Sequence, residues 1–396
     1  MRVITSTDLS DEQEDILFDA PLKDVVLITG PPGSGKTVMA FLRAQALSKK
    51  FNIVSLIMYN KVLSKFSENG VQNNHNIDVR TMHSWVWKWW KNMHLSVKIP
   101  EIRKWSYDWE GMFEVLLNKK VDGSLDTKKV NWNHIILDEG QDFNNAMYEF
   151  FNQVRGTFFS NEEPPSMTIL ADENQRINED NSTLSEIKKY MKVSEKMSFS
   201  LTRNYRNTDE INNFIANFYV GSETGITRPS GKKGEKPKLI KSNDFSGSIK
   251  FIARYARLHQ NQEIVIIVSN NVMRTKYYNA LDDELGEEHC HVQTFASGNK
   301  VHSAEVLRFD QEGVVTVINK QSCKGLEFDA VFIPEIENIV IDDGNLNAFK
   351  MEMYVMCSRA RSYLALIMSN SGGENLPVLK HLPREDEGLL EYVHVK

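Results

Sequence analysis

The chain of 396 residues is expected to adopt an α/β fold of parallel sheets flanked by helices, on three observations. Short, β-branched apolar runs recur at 25–29, 53–58, 134–137, 167–171, 264–268, 314–318 and 330–333, separated by stretches of helical length and pattern. The first run feeds a glycine-rich turn and then a helix, and the third ends in two adjacent carboxylates. The first four runs are assigned to one sheet domain, residues 1–200, and the last three to a second, residues 201–396.

Bulk properties bound the reading. Hydrophobic content of 41% and charged content of 25% are ordinary for a globular protein. A net charge of −6 excludes a chain that is basic throughout, while leaving room for a local positive channel. Cys290, Cys323 and Cys357 are far apart and form no CxxC pair, so neither a disulfide framework nor a zinc site is indicated. No apolar stretch approaches the roughly 20 residues of a membrane span, and residues 1–9 do not read as a secretory signal. A cytoplasmic protein with no membrane partner is expected.

Taking the elements in order, the run at 25–29 leads into Gly30-Pro31-Pro32-Gly33-Ser34-Gly35-Lys36-Thr37, which matches G-x-x-x-x-G-K-[ST]. Residues 38–50, with Met39, Ala40, Leu42, Ala46 and Leu47, read as the following helix. Gly30, Gly33, Ser34 and Gly35 let backbone N–H groups approach phosphates, and the helix N-terminus adds a favourable dipole. Lys36 is expected on the β- and γ-phosphates and Thr37 on Mg²⁺. A nucleoside triphosphate is therefore the expected ligand. Tandem repeats of the short, ankyrin-like kind are absent.

All seven tryptophans lie within residues 85–132, where no strand of the first sheet is evident, so this stretch reads as a small helical insertion. Two readings stand for the indoles. Burial as the core of the insertion is favoured, and the other is exposure as stacking platforms for bases, Trp85 above all. Further on, Asp138 and Glu139 follow a buried apolar run, at the strand end where parallel sheets bind ligands. Asp138 is placed to hold Mg²⁺ and Glu139 to polarise an attacking water. Residues 228–241, with Lys232, Lys233, Lys236, Lys238 and Lys241 among Gly and Pro, read as a loop, a solvated turn being favoured over a phosphate-contacting one.

Asp138-Glu139-Gly140-Gln141-Asp142 resembles motif II of the UvrD/Rep type of superfamily 1A helicases, and other segments follow in that family's order. Leu9 to Gln13 resembles its Q motif, Tyr59-Asn60-Lys61 motif Ia, and Thr81 to Trp85 the next strand-contacting motif. Ala171 to Gln175 resembles motif III, Leu201 to Arg206 motif IV, Lys324 to Asp329 motif V, and Tyr354 to Arg361 motif VI. The resemblance implies two tandem RecA-like P-loop domains with ATP between them, closing on ATP and parting on hydrolysis. It implies that Gln13 reads the adenine edge, Tyr205 stacks on adenine and Glu327 bonds the ribose. Gln175 would sense the γ-phosphate, and Arg206 and Arg359 would be arginine fingers. Nucleic acid would meet Tyr59, His83 and Trp85 as stacking groups, and Asn60, Lys61 and Ser322 as phosphate contacts. For His83 a structural role stands equally.

The chain departs from the family pattern in several places. Ala171 stands where glycine is usual, and Arg176, Ile177 and Asn178 replace the aromatics that follow the motif III glutamine. Asn319 and Gln321 stand for Thr and His in motif V, Val38 replaces a common arginine, and the large insertions of both domains are trimmed. The leading expectation is an ATP hydrolase moving 3′→5′ on single-stranded or tailed DNA, RNA not being excluded. The alternative is an accessory subunit whose nucleotide state gates a partner such as a nuclease of a defence complex. A P-loop small-molecule kinase is the third reading, and the second sheet domain speaks against it.

Overall fold

The computed structural model describes residues 9–59, 75–175, 180–221, 224–286, 290–296, 299, 301–309, 311–341, 344–369 and 376–395. By its internal contacts the chain divides into two units. One holds the described part of 4–30 together with Gly35–Leu201, and the other holds Pro31–Ser34 and Thr202–Lys396. Among the described residues no helix is long and apolar enough to cross a membrane.

The first unit opens on α1 (Asp11–Asp19), started by a capping box between Ser10 and Gln13. Strand β1 (Val25–Thr29) is followed by α2 (Lys36–Ser48), β2 (Val54–Met58), β3 (Ile77–Thr81) and α3 (Met82–Asn92). A two-stranded antiparallel hairpin, β4 (Glu101–Arg103) and β5 (Ser106–Tyr107), precedes α4 (Trp109–Val121). Then come β6 (His134–Leu137), α5 (Asn145–Phe158), β7 (Ser166–Ala171), α6 (Leu184–Met191) and β8 (Ser198–Ser200). The six main strands form an all-parallel sheet in the order β3-β2-β6-β7-β1-β8. Its inner strands β1, β2, β6 and β7 are buried along their whole length. That explains their unbroken apolar runs, since a parallel sheet is covered on both faces.

The second unit carries α7 (Asp209–Ile215), β9 (Lys238–Ser242), α8 (Phe245–Leu258), β10 (Ile264–Val268), α9 (Asn271–Leu285) and β11 (His291–Thr294). It continues through β12 (Val314–Asn319), β13 (Phe328–Pro334), α10 (Leu346–Cys357), β14 (Ala360–Met368) and β15 (Glu391–Val395). Its seven strands are also parallel, ordered β11-β12-β10-β13-β14-β9-β15. The expected class, α/β with parallel sheets flanked by helices, is what is observed.

Several strands escaped the sequence reading, for a common reason. The edge strand β3 reads Ile-Asp-Val-Arg-Thr and is buried only at Ile77, and β8 is three residues long, so neither has an apolar run to recognise. The stretch 228–241 is not wholly a loop. Lys238–Ser242 is a strand whose Leu239 and Ile240 are buried, a signal hidden between lysines. The tryptophan-rich insertion is not wholly helical either, because it contains the β4–β5 hairpin.

The indoles divide sharply. Trp85, Trp89, Trp90, Trp109 and Trp132 are buried, whereas Trp87 and Trp105 are 57% and 69% exposed. On α3 the buried set is Met82, Trp85, Val86, Trp89 and Trp90, the i, i+3, i+4 spacing of one helix face. Trp89 stacks on Trp85 at 5.4 Å and meets Trp90, Trp132 and Phe150 edge to face. Its indole N–H donates to the Val130 carbonyl at 3.2 Å. Trp89→Ala is therefore expected to destabilise the chain by about 3–5 kcal/mol, and Trp87→Ala by less than about 0.5 kcal/mol, as read by chemical denaturation of the two variants.

Candidate functional site

The C-terminal ends of β6, β7 and β1 lie side by side in the first unit, and each delivers polar residues to the same place. Gly30 N–H donates to the Ala171 carbonyl at 3.2 Å, and Asp138 N–H donates to the Ile57 carbonyl at 3.0 Å, so the strand ends stay in step. Helix α2 then begins at Gly35, whose φ of 89° is left-handed and which offers no side-chain cap. A helix N-terminus presents backbone N–H groups and the positive end of its dipole, a setting that suits an anion. The left-handed φ strains any other residue there, and a Cβ on Gly35 would also sit 2.3 Å from Gln13 Nε2, which would have to move. Gln13, expected on adenine, is buried against this turn, and its Oε1 accepts the Ser10 N–H at 3.2 Å. Ser34 Oγ closes the tip of the turn by donating to the Pro31 carbonyl at 2.8 Å.

Lys36 is buried, its Nζ 2.6 Å from the Gly30 carbonyl and 3.8 Å from Asp172 Oδ2. Thr37 Oγ1 donates to Asp138 Oδ2 at 2.9 Å, so the two side chains assigned to Mg²⁺ are one hydrogen bond apart. Glu139, at φ 53°, turns the chain sharply, and its N–H donates to Asp138 Oδ1 at 3.1 Å. The next residue has to be glycine, because a Cβ on Gly140 would lie 2.6 Å from Ile169 Cγ2. Gln175 Nε2 donates to Asp172 Oδ2 at 2.6 Å.

Two members of this cluster were given no role by the sequence reading. Asp172 ends β7 as Asp138 ends β6, and that shared position after an apolar run was the available signal. Gln141 donates from Nε2 to Glu139 Oε2 at 2.7 Å and accepts the Asp172 N–H on Oε1 at 2.9 Å. It ties the two strand ends together, a role that only the fold reveals.

The cluster's electrostatics fit a cation. Asp138, Glu139 and Asp172 are all buried, with Lys36 the cation among them. Burial, followed by the Glu139 charge, pushes the Asp138 carboxyl well above the usual carboxylate range. Burial also pushes Asp172 upward, against the pull of Lys36. Among the described residues no group of three or more His, Cys, Asp or Glu is arranged to hold a metal ion. An ion bound here would take Thr37 and Asp138 as protein ligands and complete its shell with ligand and water oxygens, the habit of Mg²⁺.

The remaining residues assigned to the first unit fall in different places. Tyr59, half-buried at the end of β2, meets Phe143 edge to face at 6.2 Å. Burial, then Asp142 and Glu139, pushes its phenol up to about 12. Asn60 and Lys61, like Arg176, Ile177 and Asn178, lie outside the described residues. His83 is exposed. Trp85 is a correction: it cannot stack on bases, because its ring is packed against Trp89 and Phe151 and its N–H donates to Ser55 Oγ at 3.1 Å.

In the second unit, Asn204 Oδ1 accepts the Arg206 and Asn207 N–H groups, and Tyr205 N–H donates to the Gly33 carbonyl at 2.7 Å. Glu327, expected on the ribose, is paired here with two arginines. Its Oε2 takes Arg206 Nε at 2.6 Å and its Oε1 takes Arg361 Nη2 at 3.1 Å. Burial alone would raise this carboxyl, but Arg206 and then Arg361 outweigh it and hold it at about 2. Arg361, which the sequence reading left without a role, also reaches Glu263 at 2.9 Å and Asp329 at 3.1 Å. Arg359 is only 1% exposed, its guanidinium donating to the Val355 and Leu326 carbonyls and Ser358 Oγ. It is therefore a buried group and not a surface charge. Ser322 is buried as well, and its N–H donates to Asn319 Oδ1 at 3.0 Å.

Two stability experiments test these electrostatics. A carboxyl raised by folding favours the native state only while protonated, so that stability fades as pH rises through its folded value. Asp138→Asn should raise the Tm of the metal-free protein near neutral pH, and the gain should vanish toward about pH 4, where the unfolded carboxyl is protonated too. A depressed carboxyl behaves oppositely. The stability contributed by Glu327 is present above about pH 4.5 and lost toward pH 2. Glu327→Gln should cost about 3 kcal/mol at neutral pH, with the difference shrinking in acid denaturation.

Comparison with known proteins places this geometry. No curated protein matches the chain. Among solved structures, the DUF1998 helicase MrfA bound to DNA matches over 96% of this chain with 12% identity and a TM-score of 0.54. The chain spans about half, 49%, of that protein's length, and the likeness is one of fold. The C-terminal domain of a possible DNA helicase from Lactobacillus plantarum WCFS1 matches over 47% of this chain and 97% of its own, with 21% identity and a TM-score of 0.34. Residues 23–233, more than half of the sequence, match the family described as Schlafen group 3, DNA/RNA helicase domain. The chain belongs to that helicase-domain family.

Proposed function

We propose that the protein is a nucleic-acid-dependent ATPase of the UvrD-like superfamily 1A type, a translocase moving 3′→5′ on single-stranded DNA. The observation that carries this reading is the convergence of Lys36, Thr37, Asp138, Glu139 and Gln175 at adjacent strand ends of one parallel sheet. The helicase family assignment and the motif order support it. On this reading the chain is built of two tandem RecA-like P-loop domains, 1–200 and 201–396, in a cytoplasmic protein.

The chemistry asked of the residues is positioning and charge. ATP phosphates lie on the N–H groups of the turn Gly30–Gly35 and at the start of α2, where the helix dipole favours anions. Lys36, with three N–H donors, reaches from the Gly30 carbonyl to the β- and γ-phosphates. Thr37 and Asp138 would hold Mg²⁺, which would supply neutralisation of the charge developing on the phosphates. Glu139 orients the attacking water and takes its proton, while Gln141 Nε2 steadies the same carboxylate through Oε2. Gln175 senses the γ-phosphate and transmits its state to Asp172, its hydrogen-bond partner. Arg206 and Arg359 are the proposed arginine fingers; to act, Arg206 would have to leave Glu327, and the buried Arg359 its bonds to Val355, Leu326 and Ser358.

A steady-state assay tests the reading. Wild-type protein with Mg²⁺ should hydrolyse ATP faster when single-stranded DNA is added. Lys36→Ala and Glu139→Gln should each lower kcat by about 10²–10⁴. Turnover indifferent to single-stranded DNA, or retained in both variants, would overturn it.

A further inference from the structure

The two exposed tryptophans are built into one surface. On α3, His83, Trp87 and Lys91 recur at i, i+4 and i+8, so they share the helix face opposite the buried indoles, with neighbours about 5–6 Å apart at Cβ. All three are exposed. Beyond His83 stands the β4–β5 hairpin, whose two-residue tip is Lys104-Trp105. The Trp105 ring lies edge-on to His83 at 5.9 Å. The hairpin is fastened to the helix at this point, since Tyr107 Oη donates to the His83 carbonyl at 3.1 Å and the Tyr107 ring packs on Trp109 of the core.

Trp105 is held at φ 68°, a left-handed conformation that costs a bulky residue about 1–3 kcal/mol. Here that cost holds an apolar ring in water, where it contributes nothing to the core. Each exposed indole also carries a cation. Lys104 Nζ lies 5.8 Å from the Trp105 ring centre and Lys91 Nζ 4.8 Å from that of Trp87. Glu101 lies close enough to act on His83 and Tyr107, an acidic group beside the cations.

We infer that Trp105, His83 and Trp87, flanked by Lys104 and Lys91, form a stacking track for single-stranded nucleic acid, the rings taking bases and the ammonium groups taking phosphates. Aromatic faces accept any base, and interleaved cations follow the backbone. The chemistry selects an unpaired strand, because a duplex keeps its base faces covered. The inference rests on the proposed nucleic-acid dependence and names a place for the strand outside the ATP cluster.

Binding of fluorescein-labelled oligo-dT and oligo-U of about 20 nucleotides to the full chain, followed by anisotropy, tests it. A blunt duplex of the same length serves as the comparison. Trp105→Ala and Trp87→Ala should each weaken single-strand binding about fivefold or more, and the double variant further. Trp105→Phe should retain most of the affinity, and the unfolding temperature of every variant should stay that of wild type. Lys91→Ala with Lys104→Ala should flatten the salt dependence by about one to two phosphate contacts. The two oligonucleotides distinguish DNA from RNA as the strand. Wild-type affinity in the double tryptophan variant would overturn the track and leave the proposed function standing. Absence of binding by wild type to both oligonucleotides would overturn both.

Discussion

Parallel pairing of strands buried on both faces imposes the constraint on which the candidate site depends. In such a sheet β1, β6 and β7 are covered on both faces, so their interiors are largely apolar, and the buried Thr168 of β7 is accommodated by pairing with Arg43 and His134. The polar residues of the candidate site stand at the C-terminal strand ends, and backbone hydrogen bonds hold those ends in register. Gly30, Asp138 and Asp172 therefore arrive together although they are far apart in sequence. A lysine on the following turn and a glutamine from the neighbouring one complete a cluster whose negative charge exceeds its positive charge.

That imbalance has structural consequences. Buried carboxylates without enough cations are costly, and the raised Asp138 and Asp172 carboxyls express the cost. Gln141 reduces it locally by donating to Glu139 and by capping the Asp172 N–H, linking the ends of β6 and β7. The second unit shows the opposite solution. Glu327 is held fully ionised by two guanidiniums, and Arg361 is shared among three acids. In the first cluster three buried carboxyls share Lys36, whereas in the second the acids are matched by two guanidiniums.

The insertion between β3 and β6 shows how one composition serves two purposes. Five indoles form a core in which ring edges meet ring faces and each N–H of Trp85, Trp89, Trp90 and Trp132 finds an oxygen. The remaining two stand outside it, one by helical phase and one at a strained hairpin tip. A tryptophan count alone does not separate these groups. The phase of Met82, Trp85, Val86, Trp89 and Trp90 along α3 does, and it is readable from sequence by noting that Trp87 falls out of step.

Sequence by itself determined the α/β class, because fully buried parallel strands are written as continuous apolar runs. It also determined the glycine-rich turn, whose left-handed Gly35 position strains any other residue, and the position of Asp138-Glu139 after a strand. It missed β3, β8, β9, β11 and β15, which are short or lie at or near sheet edges, where alternation with polar residues erases the signal, and it left the apolar run of the interior strand β14 unassigned. Tertiary structure alone decided the partners: Gln141 between Glu139 and Asp172, Glu327 between Arg206 and Arg361, Arg359 inward, Trp85 buried and Trp105 exposed. Local patterns record which faces are covered. Which long side chain meets which depends on strand order and loop closure, and these are set by packing between segments distant in the chain.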